Sequence, residues 1–326
     1  MKAAVLNNFK SDLEIKEIDI PKITDDEVLV KISYAAVNPL DNLIKDGALN
    51  LITPYKLPQI LGNEMVGFIT SIGKNVKDFK VGDRVFARLS IDKIGAFAEF
   101  ISINHTHIAK VPTYLSDAEA ACIPLAALTF LQAIKLINAK SGNSIFISGA
   151  SGSFGMIALA LAKQMGFKIY ANGNENFKQT ALELGVCEYF TKNDDYTKIK
   201  VDFVIDSIGG DETFKQFKIL NKGGKLVSLK AMPDMKFAKS FNLSKLKQIL
   251  FYFAGLKLNN AAKKVGCEYH FMFVRESSKN LQELSKILEE IKFHPLVGEI
   301  FSIDDINKAL KSLKNNNKKG KVLIKF

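Results

Sequence analysis

Ser144-Ile145-Phe146-Ile147-Ser148 leads directly into Gly149-Ala150-Ser151-Gly152-Ser153-Phe154-Gly155. The apolar run predicts a buried strand, and the apolar sequence at 154–165 predicts a helix. A glycine turn between a strand and a helix lets the backbone approach a pyrophosphate, while free N–H groups and the helix dipole stabilise its charge. Gly155 is expected to allow close packing of the helix on the strand. The stretch from Gly149 to Gly155, the glycine turn, therefore predicts a dinucleotide site.

Strands and helices alternate after this turn. Further strands are predicted at 168–171, 202–206 and 225–229, and helices at 175–184 and near 212–220. Such alternation is typical of a doubly wound parallel sheet with right-handed crossovers. The last part of the chain predicts a strand at 267–274, helices at 277–291 and 303–314, and a closing strand at 321–325.

The first hundred residues differ from the rest. Short β-branched or aromatic runs at 27–34, 64–72, 84–89 and 96–103 alternate with clusters of Gly, Asp, Asn and Pro. Ser116 followed by Glu119 predicts a helix N-cap, and sequence of helical period continues to about residue 138. The predicted fold class is therefore α/β, with a β-rich N-terminal part followed by a doubly wound parallel sheet.

The composition is that of a globular protein. Of 326 residues, 47% are hydrophobic and 24% are charged, and three widely spaced cysteines cannot form a disulfide scaffold. The net charge of +11 comes from lysine, because arginine occurs only at Arg84, Arg88 and Arg275. Specific nucleic-acid recognition favours arginine, so the charge does not favour a nucleic-acid partner. No stretch predicts a membrane-spanning helix, and we expect a cytoplasmic protein with no membrane partner.

The end of the second predicted strand of the parallel sheet decides which nicotinamide nucleotide binds. NAD sites usually place Asp or Glu there to accept a hydrogen bond from the ribose 2′-OH. This chain instead has Asn172 followed by Gly173. Lys178 and Lys192 could meet a 2′-phosphate, although both also fit an ordinary solvated surface. The sequence therefore favours NADPH over NADH.

Other short motifs accompany the glycine turn in a fixed order along the chain. They are Asn38-x-x-Asp41, Gly62-Asn63-Glu64-Met65-Val66-Gly67, Gly82-Asp83-Arg84-Val85, Gly95-Ala96-Phe97-Ala98-Glu99-Phe100, Leu128-Thr129-Phe130, Asp206-Ser207-Ile208-Gly209-Gly210, Gly223-Gly224 and Gly320-Lys321-Val322-Leu323. With these motifs the chain resembles the medium-chain dehydrogenase/reductase superfamily. Within it, the chain looks like the zinc-independent quinone oxidoreductase (zeta-crystallin-like) branch, which includes enone reductases.

The resemblance implies a GroES-like catalytic domain at 1–118, a Rossmann NADP-binding domain at 119–265, and a segment at 266–326 that returns to the first domain. The active site is expected in the cleft between the domains. The resemblance also implies a homodimer, with a strand at 269–274 pairing across a two-fold axis. The cofactor-binding residues that it implies are Thr129, Gly149, Ala150, Ser151, Gly152, Ser153, Phe154, Gly155, Asn172, Gly173, Lys178, Lys192, Ser207, Ile208, Gly209 and Lys321.

The metal ligands of zinc-dependent relatives are missing from the sequence. Those relatives need an early Cys and a His beside the glutamate, whereas this chain has Asn38 and Asp41 in the early element and Asn63 in place of the His. His105 and His107 could share one strand face, but the sequence offers no third ligand near them. We therefore expect no metal site.

The implied reaction transfers a hydride from NADPH to a small apolar substrate without zinc. This substrate is either a quinone or an α,β-unsaturated carbonyl. The candidate catalytic residues are Asn38 as an amide donor, Lys45 as the cationic partner of an oxyanion and Tyr55 as a proton donor. Each fits a structural role equally well, and solvent or a ribose hydroxyl is another proton source. The alternative is a nucleotide-binding protein with vestigial redox activity, acting as a sensor, an RNA-binding protein or a structural protein.

The hydrophobic and basic segment at 231–264 predicts a helical cover near the substrate mouth. Its aromatic side chains could line a pocket for a flat apolar substrate or could simply pack between helices. They are Phe241, Phe251, Tyr252 and Phe253.

Overall fold

The computed structural model describes residues 1–314 and 320–326, which fall into two units. Unit 1 combines Met1–Leu128 with Arg275–Phe326, and unit 2 consists of Thr129–Val274. The strands are β1 (Lys2–Leu6), β2 (Glu14–Glu17), β3 (Glu27–Val37), β4 (Gln59–Ile60), β5 (Glu64–Ile72), β6 (Arg84–Arg88), β7 (Phe100–Asn104), β8 (Ile108–Lys110), β9 (Ser144–Ile147), β10 (Lys168–Asn172), β11 (Val186–Phe190), β12 (Val201–Asp206), β13 (Leu220–Ser228), β14 (Glu268–Phe271), β15 (Val297–Ser302) and β16 (Lys321–Lys325). The α-helices are α1 (Pro39–Lys45), α2 (Asp117–Ala121), α3 (Pro124–Ile137), α4 (Ser153–Gln164), α5 (Lys178–Glu183), α6 (Asp211–Lys218), α7 (Met235–Ser240), α8 (Lys245–Lys264), α9 (Ser278–Ile291) and α10 (Ile306–Ser312).

Unit 1 is organised around the long strand β3. Strand β5 pairs antiparallel along one edge of β3, while β7 and β16 share the other edge, β7 along the first half and β16 along the second. The remaining strands extend this sheet to β15 on one side and to β6 and β8 on the other. A separate three-stranded sheet has the order β2-β1-β4. Because β16 pairs with the end of β3, a segment from late in the chain completes the N-terminal sheet.

Unit 2 is a six-stranded sheet whose pairs are all parallel, in the order β11-β10-β9-β12-β13-β14. Read along the chain, this is the order 3-2-1-4-5-6 of doubly wound dinucleotide-binding sheets. The order reverses between β9 and β12, where the strand ends leave a crevice for ligands. The glycine turn directly follows β9, so it lies at this reversal.

Three local differences from the sequence predictions have physical causes. The helix predicted from Ser116 is capped as expected but stops at Ala121, and Pro124 starts a new helix because proline fits the first helical position. The helix predicted at 175–184 begins as a short 3₁₀ segment, Glu175–Phe177, before α5. The sequence did not predict β11, whose run Val186 to Phe190 contains Cys187 and Glu188 with exposed side chains at an edge of the sheet.

Among the described residues, no helix combines the length and the apolar character needed to cross a membrane.

Candidate active site

The glycine turn in unit 2 depends on glycine at two of its positions. Gly149 has a φ of +67°, and a β-carbon there would lie 2.5 Å from the Ser207 hydroxyl oxygen. A β-carbon on Gly155 would lie 2.3 Å from the α-carbon of Ala150. Gly152 differs, because its added β-carbon would meet only the carbonyl oxygen of Gly149 at 3.3 Å. Gly149 and Gly155 are therefore required for packing, whereas a β-carbon at Gly152 would make one tight contact that a small shift could relieve.

The start of helix α4 has unused hydrogen-bond donors. The N–H of Met156 makes the first helical bond, 3.1 Å to the carbonyl oxygen of Gly152. The N–H groups of Ser153, Phe154 and Gly155 precede it, so they have no carbonyl acceptor within the helix. The N-cap is Gly152, which has no side chain that could accept from them. Unused N–H groups at the positive end of a helix bind anions, so these residues fit the pyrophosphate of a dinucleotide.

Asn172, at the end of β10, holds the turn in place. Its side-chain oxygen accepts from the N–H of Gly149 at 3.0 Å, and its carbonyl oxygen accepts from the N–H of Ala150 at 2.8 Å. Its amide nitrogen donates to Glu212 at 3.1 Å. A β-carbon on the next residue, Gly173, would lie 2.4 Å from the Tyr189 hydroxyl oxygen. The predicted cofactor residues Asn172 and Gly173 therefore support the turn, and the Asn172 side chain is already engaged.

The buried carboxylate of Asp206, at the end of β12, joins three strand ends. Its Oδ1 accepts from the N–H groups of Ile208 and Gly209 at 3.0 and 2.9 Å. Its Oδ2 accepts from the hydroxyls of Thr213 and Ser228 at 2.6 and 2.8 Å. Asp206 is absent from the predicted site residues, although a carboxylate directly after an apolar strand is a readable signal of such a role.

Ser207, beside Asp206, ties β12 to β9. Its hydroxyl donates to the carbonyl oxygen of Ser148 at 2.6 Å, and its N–H donates to the Ser148 hydroxyl at 2.9 Å. The predicted cofactor residues Ser207, Ile208 and Gly209 thus form one loop, which contacts Gly149 of the glycine turn. The side chain of Ile208 stays exposed.

The two lysines predicted to meet a 2′-phosphate are both exposed. Lys178 begins α5, and Lys192 follows β11, the neighbour of β10 in the sheet. The pKa of Asp194 is lowered by the N–H and hydroxyl of Thr191 and, more weakly, by the charge of Lys178. Lys178 therefore lies near the loop that carries Lys192. Thr129, the remaining predicted cofactor residue of unit 2, is buried in α3.

In unit 1, five polar residues meet at one end of the β3 sheet: Asn38, Asp41, Asn63, Glu64 and Lys321, named here the polar cluster. Strand pairing brings them together, because Val322 lies opposite Val37 and Met65 lies opposite Ala35. All five are buried.

Lys321 is the cation of the polar cluster. Its ammonium donates to Asn38 Oδ1 at 2.5 Å and lies 2.6 Å from Glu64 Oε1. The amide of Asn38 donates to the same Glu64 oxygen at 2.9 Å, and the N–H of Leu125 donates to the other at 2.7 Å. Lys321 is predicted to contact the cofactor, and Asn38 is predicted to be catalytic. In the structure their side chains bond each other and Glu64.

Asp41 adds a second carboxyl group to the polar cluster. It accepts from the N–H of Asn38 and from the amide of Asn63, both at 2.7 Å. Burial raises the pKa of Asp41 to about 7, against the lowering effect of these hydrogen bonds, and the nearby Glu64 carboxylate also raises it. The cluster therefore holds two carboxyl groups and one cation, and the cation pairs with Glu64.

The other candidate catalytic side chains of unit 1 have partners of their own. The Lys45 ammonium lies 3.5 Å from Asp46 and 3.4 Å from the carbonyl oxygen of Ser11. The Tyr55 hydroxyl donates to the carbonyl oxygen of Ile91 at 2.8 Å. Burial raises the pKa of Tyr55 well above its usual value, despite the opposing charge of Arg88. Tyr55 is therefore un-ionised at neutral pH and is a weak proton donor.

Side chains that could bind a metal do not converge in the described residues. In that part of the chain, no three His, Cys, Asp or Glu side chains are arranged to hold a metal ion. The early family motifs supply the amides of Asn38 and Asn63 and two carboxyl groups that are already bonded. Asp41 accepts from Asn38 and Asn63, and Glu64 is paired with Lys321. Amides beside an ammonium form a poor donor set for zinc, which prefers thiolate, imidazole and free carboxylate.

The aromatic residues of the 231–264 segment separate into two groups. Phe251 is buried and packs against Phe237 with ring centroids 6.2 Å apart, and Phe241 packs on the same ring at 4.5 Å. Tyr252 and Phe253 are exposed and contact each other at 5.3 Å. Part of the group therefore packs between helices, and part faces outward.

Comparison with known proteins identifies both parts of the chain. Residues 24–113 match the alcohol dehydrogenase GroES-like domain, and residues 185–324 match a family described as zinc-binding dehydrogenase. Among curated relatives, the mitochondrial NAD(P)H oxidoreductase RTN4IP1 of Dictyostelium discoideum is 27% identical, over 99% of each chain. The acryloyl-coenzyme A reductase of Metallosphaera sedula is 26% identical over 99% of each chain, and the 2-methylene-furan-3-one reductase of Solanum lycopersicum is 29% identical over 86% of this chain and 74% of its own.

Solved structures agree with the fold. The quinone oxidoreductase from Coxiella burnetii superposes with a TM-score of 0.84 at 23% identity, covering 100% of this chain and 99% of that one. The expected combination of a GroES-like β-rich part with a Rossmann sheet is confirmed. The chain is an oxidoreductase of a nicotinamide-dependent family, and it belongs to the medium-chain dehydrogenase/reductase superfamily.

Proposed function

We propose that this protein transfers a hydride from NADPH to a quinone or an α,β-unsaturated carbonyl, without zinc. The observation that carries the proposal is the polar cluster, in which the Lys321 ammonium pairs with the Glu64 carboxylate beside two amides. An enzyme without a metal lacks a Lewis acid to polarise an isolated carbonyl. Substrates whose reduction gives a stabilised enolate or a hydroquinone need less polarisation, which favours quinones and enones.

The proposed cofactor contacts are divided between backbone and side chains. The free N–H groups at the start of α4 would hold the pyrophosphate, and Lys178 and Lys192 would meet the 2′-phosphate. Residues Ala171 to Asn174 contain no carboxylate that could accept from a 2′-OH. When bound, the nicotinamide supplies the hydride.

The chain's own groups supply orientation, and solvent supplies the proton. The side chains of Asn38 and Lys321 bond Glu64 and each other. Tyr55 keeps its proton at neutral pH because burial raises its pKa. Asp41 has a pKa of about 7, but its carboxyl group is fully buried and accepts hydrogen bonds from Asn38 and Asn63 within the cluster. None of these groups is therefore placed to deliver a proton to a substrate. We therefore assign protonation of the product to solvent or to a ribose hydroxyl.

A substrate panel tests the reaction. NADPH oxidation is followed with quinones, enones, and saturated aldehydes and ketones. Quinones or enones should turn over at least ten-fold faster, in kcat/KM, than saturated carbonyls, about 1.4 kcal/mol of transition-state free energy. A preference for saturated carbonyls would contradict the proposal, and no turnover at all would favour the vestigial alternative. The reductase and oxidoreductase names of the relatives do not favour that alternative.

Zinc independence has its own test, which the description of the matched family as zinc-binding makes necessary. Dialysis against a strong chelator should leave both the melting temperature and turnover unchanged. Zinc found in stoichiometric amount in the purified protein, and lost together with activity, would contradict the proposal.

Cofactor preference is tested with paired lysine variants. NADPH should bind at least about ten-fold more tightly than NADH in a fluorescence titration, equivalent to about 1.4 kcal/mol. Lys178→Gln combined with Lys192→Gln should remove most of this preference by weakening NADPH binding alone. Lys168→Gln is the control, because this exposed lysine begins β10, at the opposite end of the strand from Asn172. Equal affinities for the two cofactors in the unaltered protein would refute the assignment.

We also propose a homodimer that forms through β14. This strand pairs with β13 on one side, and no described strand pairs with its other side. An unpaired edge offers N–H and C=O groups to a second copy. Sedimentation should then give twice the mass of the chain.

A further inference from the structure

Helix α8 has a row of exposed apolar side chains on one face. Leu246, Ile249, Leu250 and Phe253 are 79%, 51%, 48% and 65% exposed. Their spacing of i, i+3, i+4 and i+7 places them on one face of the helix, over about 10 Å of its length. We name these four residues the apolar stripe. Exposed apolar side chains are normal when scattered, but a contiguous row marks an interaction surface.

The opposite face of α8 packs against the rest of unit 2. Phe251, Gly255, Leu258 and Ala262 are buried, and they also follow helical spacing. Phe251 contacts the ring of Phe237 from α7. The apolar stripe is therefore additional to the face that attaches the helix, and folding of unit 2 does not require it.

All the charged residues of the segment that contains α7 and α8 are positive. Residues 235–264 contain seven lysines and no Asp or Glu. None of these lysines forms an ion pair with a carboxylate in residues 1–314 and 320–326. The seven are Lys236, Lys239, Lys245, Lys247, Lys257, Lys263 and Lys264.

Three of the lysines border the stripe closely. Lys245 and Lys247 flank Leu246, and Lys257 lies one turn beyond Phe253 on the same face. The Lys257 ammonium lies 5.0 Å from the centroid of the Phe214 ring. Lysines beside an apolar row can extend their ammonium groups to a charged surface while their carbon chains stay on the apolar side.

We propose that the apolar stripe and its bordering lysines bind the surface of an anionic phospholipid bilayer, with α8 lying in the plane of the interface. A helix with apolar side chains on one face and lysines beside them binds membranes in this orientation, and anionic lipids strengthen the binding. The expectation of no membrane partner depends on the lack of a predicted spanning helix, and a helix that lies on the membrane surface does not need that length. A second copy fits less well, because two such faces would bring two sets of unpaired lysines together.

Vesicle flotation tests the proposal without substrate or cofactor, so its outcome is independent of the proposed reaction. The protein is mixed with vesicles of phosphatidylcholine alone or with about 30 mol% phosphatidylserine, in low and high salt. Binding is expected only to the phosphatidylserine vesicles and should weaken as salt screens the lysines.

Two sets of variants separate the apolar contribution from the charge contribution. Replacing the four stripe residues by Gln, which keeps helix propensity, should lower binding at least about ten-fold. Lys245→Gln, Lys247→Gln and Lys257→Gln should each lower it about five-fold. Both control sets are expected to bind as the unaltered protein does. The control for the stripe replaces four exposed apolar residues by Gln: Leu51, Val81, Leu136 and Leu182. The control for the lysines replaces three exposed lysines by Gln: Lys22, Lys140 and Lys279.

Three outcomes would overturn the proposal. The first is that the protein does not bind phosphatidylserine vesicles in low salt. An acidic protein would then be the partner that the stripe and its lysines fit. The second is unchanged binding by the four-glutamine variant while its melting curve remains normal. The third is a change of that variant from dimer to monomer in light scattering, since a second copy would then cover the stripe.

Discussion

The glycine turn of unit 2 and the polar cluster of unit 1 both gather polar groups at strand ends, but they use them differently. At the turn, the N-cap Gly152 has no side chain, and the N–H groups of Ser153, Phe154 and Gly155 have no carbonyl acceptor within helix α4. In the cluster, charged side chains are buried and bond one another. The turn thus keeps its hydrogen-bonding capacity for a ligand, whereas the cluster uses its capacity internally. Substitutions in the cluster should therefore affect folding stability, whereas at the turn the effect should depend on whether the glycine packs against the strand or faces the ligand.

The largest effects are expected within the turn itself, where Gly155 and Gly152 should behave in opposite ways. Gly155→Ala places a β-carbon 2.3 Å from the α-carbon of Ala150, so the backbone must move, and we expect a loss on the order of 5 kcal/mol of unfolding free energy. Gly152→Val has an ordinary φ of −83° and adds one tight contact, 3.3 Å from the β-carbon to the Gly149 carbonyl oxygen, which a shift of a few tenths of an ångström relieves. It should therefore fold but block the approach of the pyrophosphate. Chemical denaturation and an NADPH titration measure the two effects.

This pair of variants contains its own control. Each is a glycine of the same turn, three residues apart, so a general sensitivity of the loop would affect both alike. NADPH binding by Gly152→Val at unaltered affinity would mean that the pyrophosphate does not sit on this turn.

Lys321→Met should produce the largest effect in the polar cluster. The substitution leaves the Glu64 carboxylate buried without its cation, and breaking such a pair costs about 3–5 kcal/mol. The loss should appear in urea unfolding as a lower midpoint with an unchanged slope. Adding Glu64→Gln removes the unpaired charge and should recover part of the stability. If the double variant is no more stable than Lys321→Met alone, charge pairing is not what Lys321 contributes.

A smaller effect, dependent on pH, is expected from Asp41. Its pKa in the folded protein is about 7, above its ordinary value of 3.8. Between these two pH values, the folded protein keeps a proton that the unfolded chain has lost. This contribution to stability is therefore lost as pH rises toward 7. Asp41→Asn removes the titration, so from pH 5 to pH 8 the variant should gain stability relative to the unaltered protein by on the order of 2 kcal/mol.

The Asp41→Asn variant has a natural way to keep its hydrogen bonds. Oδ1 of Asn63 has no partner among residues 1–314 and 320–326, so a rotation of this amide would let it accept from the new side chain. Melting temperatures across the pH range measure the difference, and other carboxylates cancel because they are present in both proteins. A difference that does not change with pH would show that Asp41 is already ionised at pH 5.

Local sequence was sufficient to predict the strand, the glycine turn and the helix of unit 2. The strand, glycine turn and helix occupy one continuous stretch, and the predicted parallel alternation is confirmed in the order β11-β10-β9-β12-β13-β14. Chain connectivity and handedness rules place such a turn at the carboxyl ends of the strands, where the strand order reverses, without further information. The free N–H groups at the start of α4 follow from helix geometry alone.

The interactions of the polar cluster could not be predicted in the same way. Lys321 and Asn38 are 283 residues apart, and only the register between β16 and β3 sets their side chains against each other. Sequence motifs indicated that both residues matter, but nothing local indicated that they bind one another. The hydrogen bonds from Asn172 to the turn and to Glu212 depend on the same kind of long-range register.

The placement of β16 beside β3 also bears on the order in which the protein folds during synthesis. Unit 2 is one continuous segment, Thr129–Val274, so it can acquire its internal contacts as soon as that segment has left the ribosome. Unit 1 must wait for β16, and until then the second half of one edge of β3 is unpaired and Glu64 lacks its ammonium partner. The nascent chain therefore exposes an unfinished sheet edge throughout the translation of unit 2, and this edge is where a chaperone or a neighbouring nascent chain would bind.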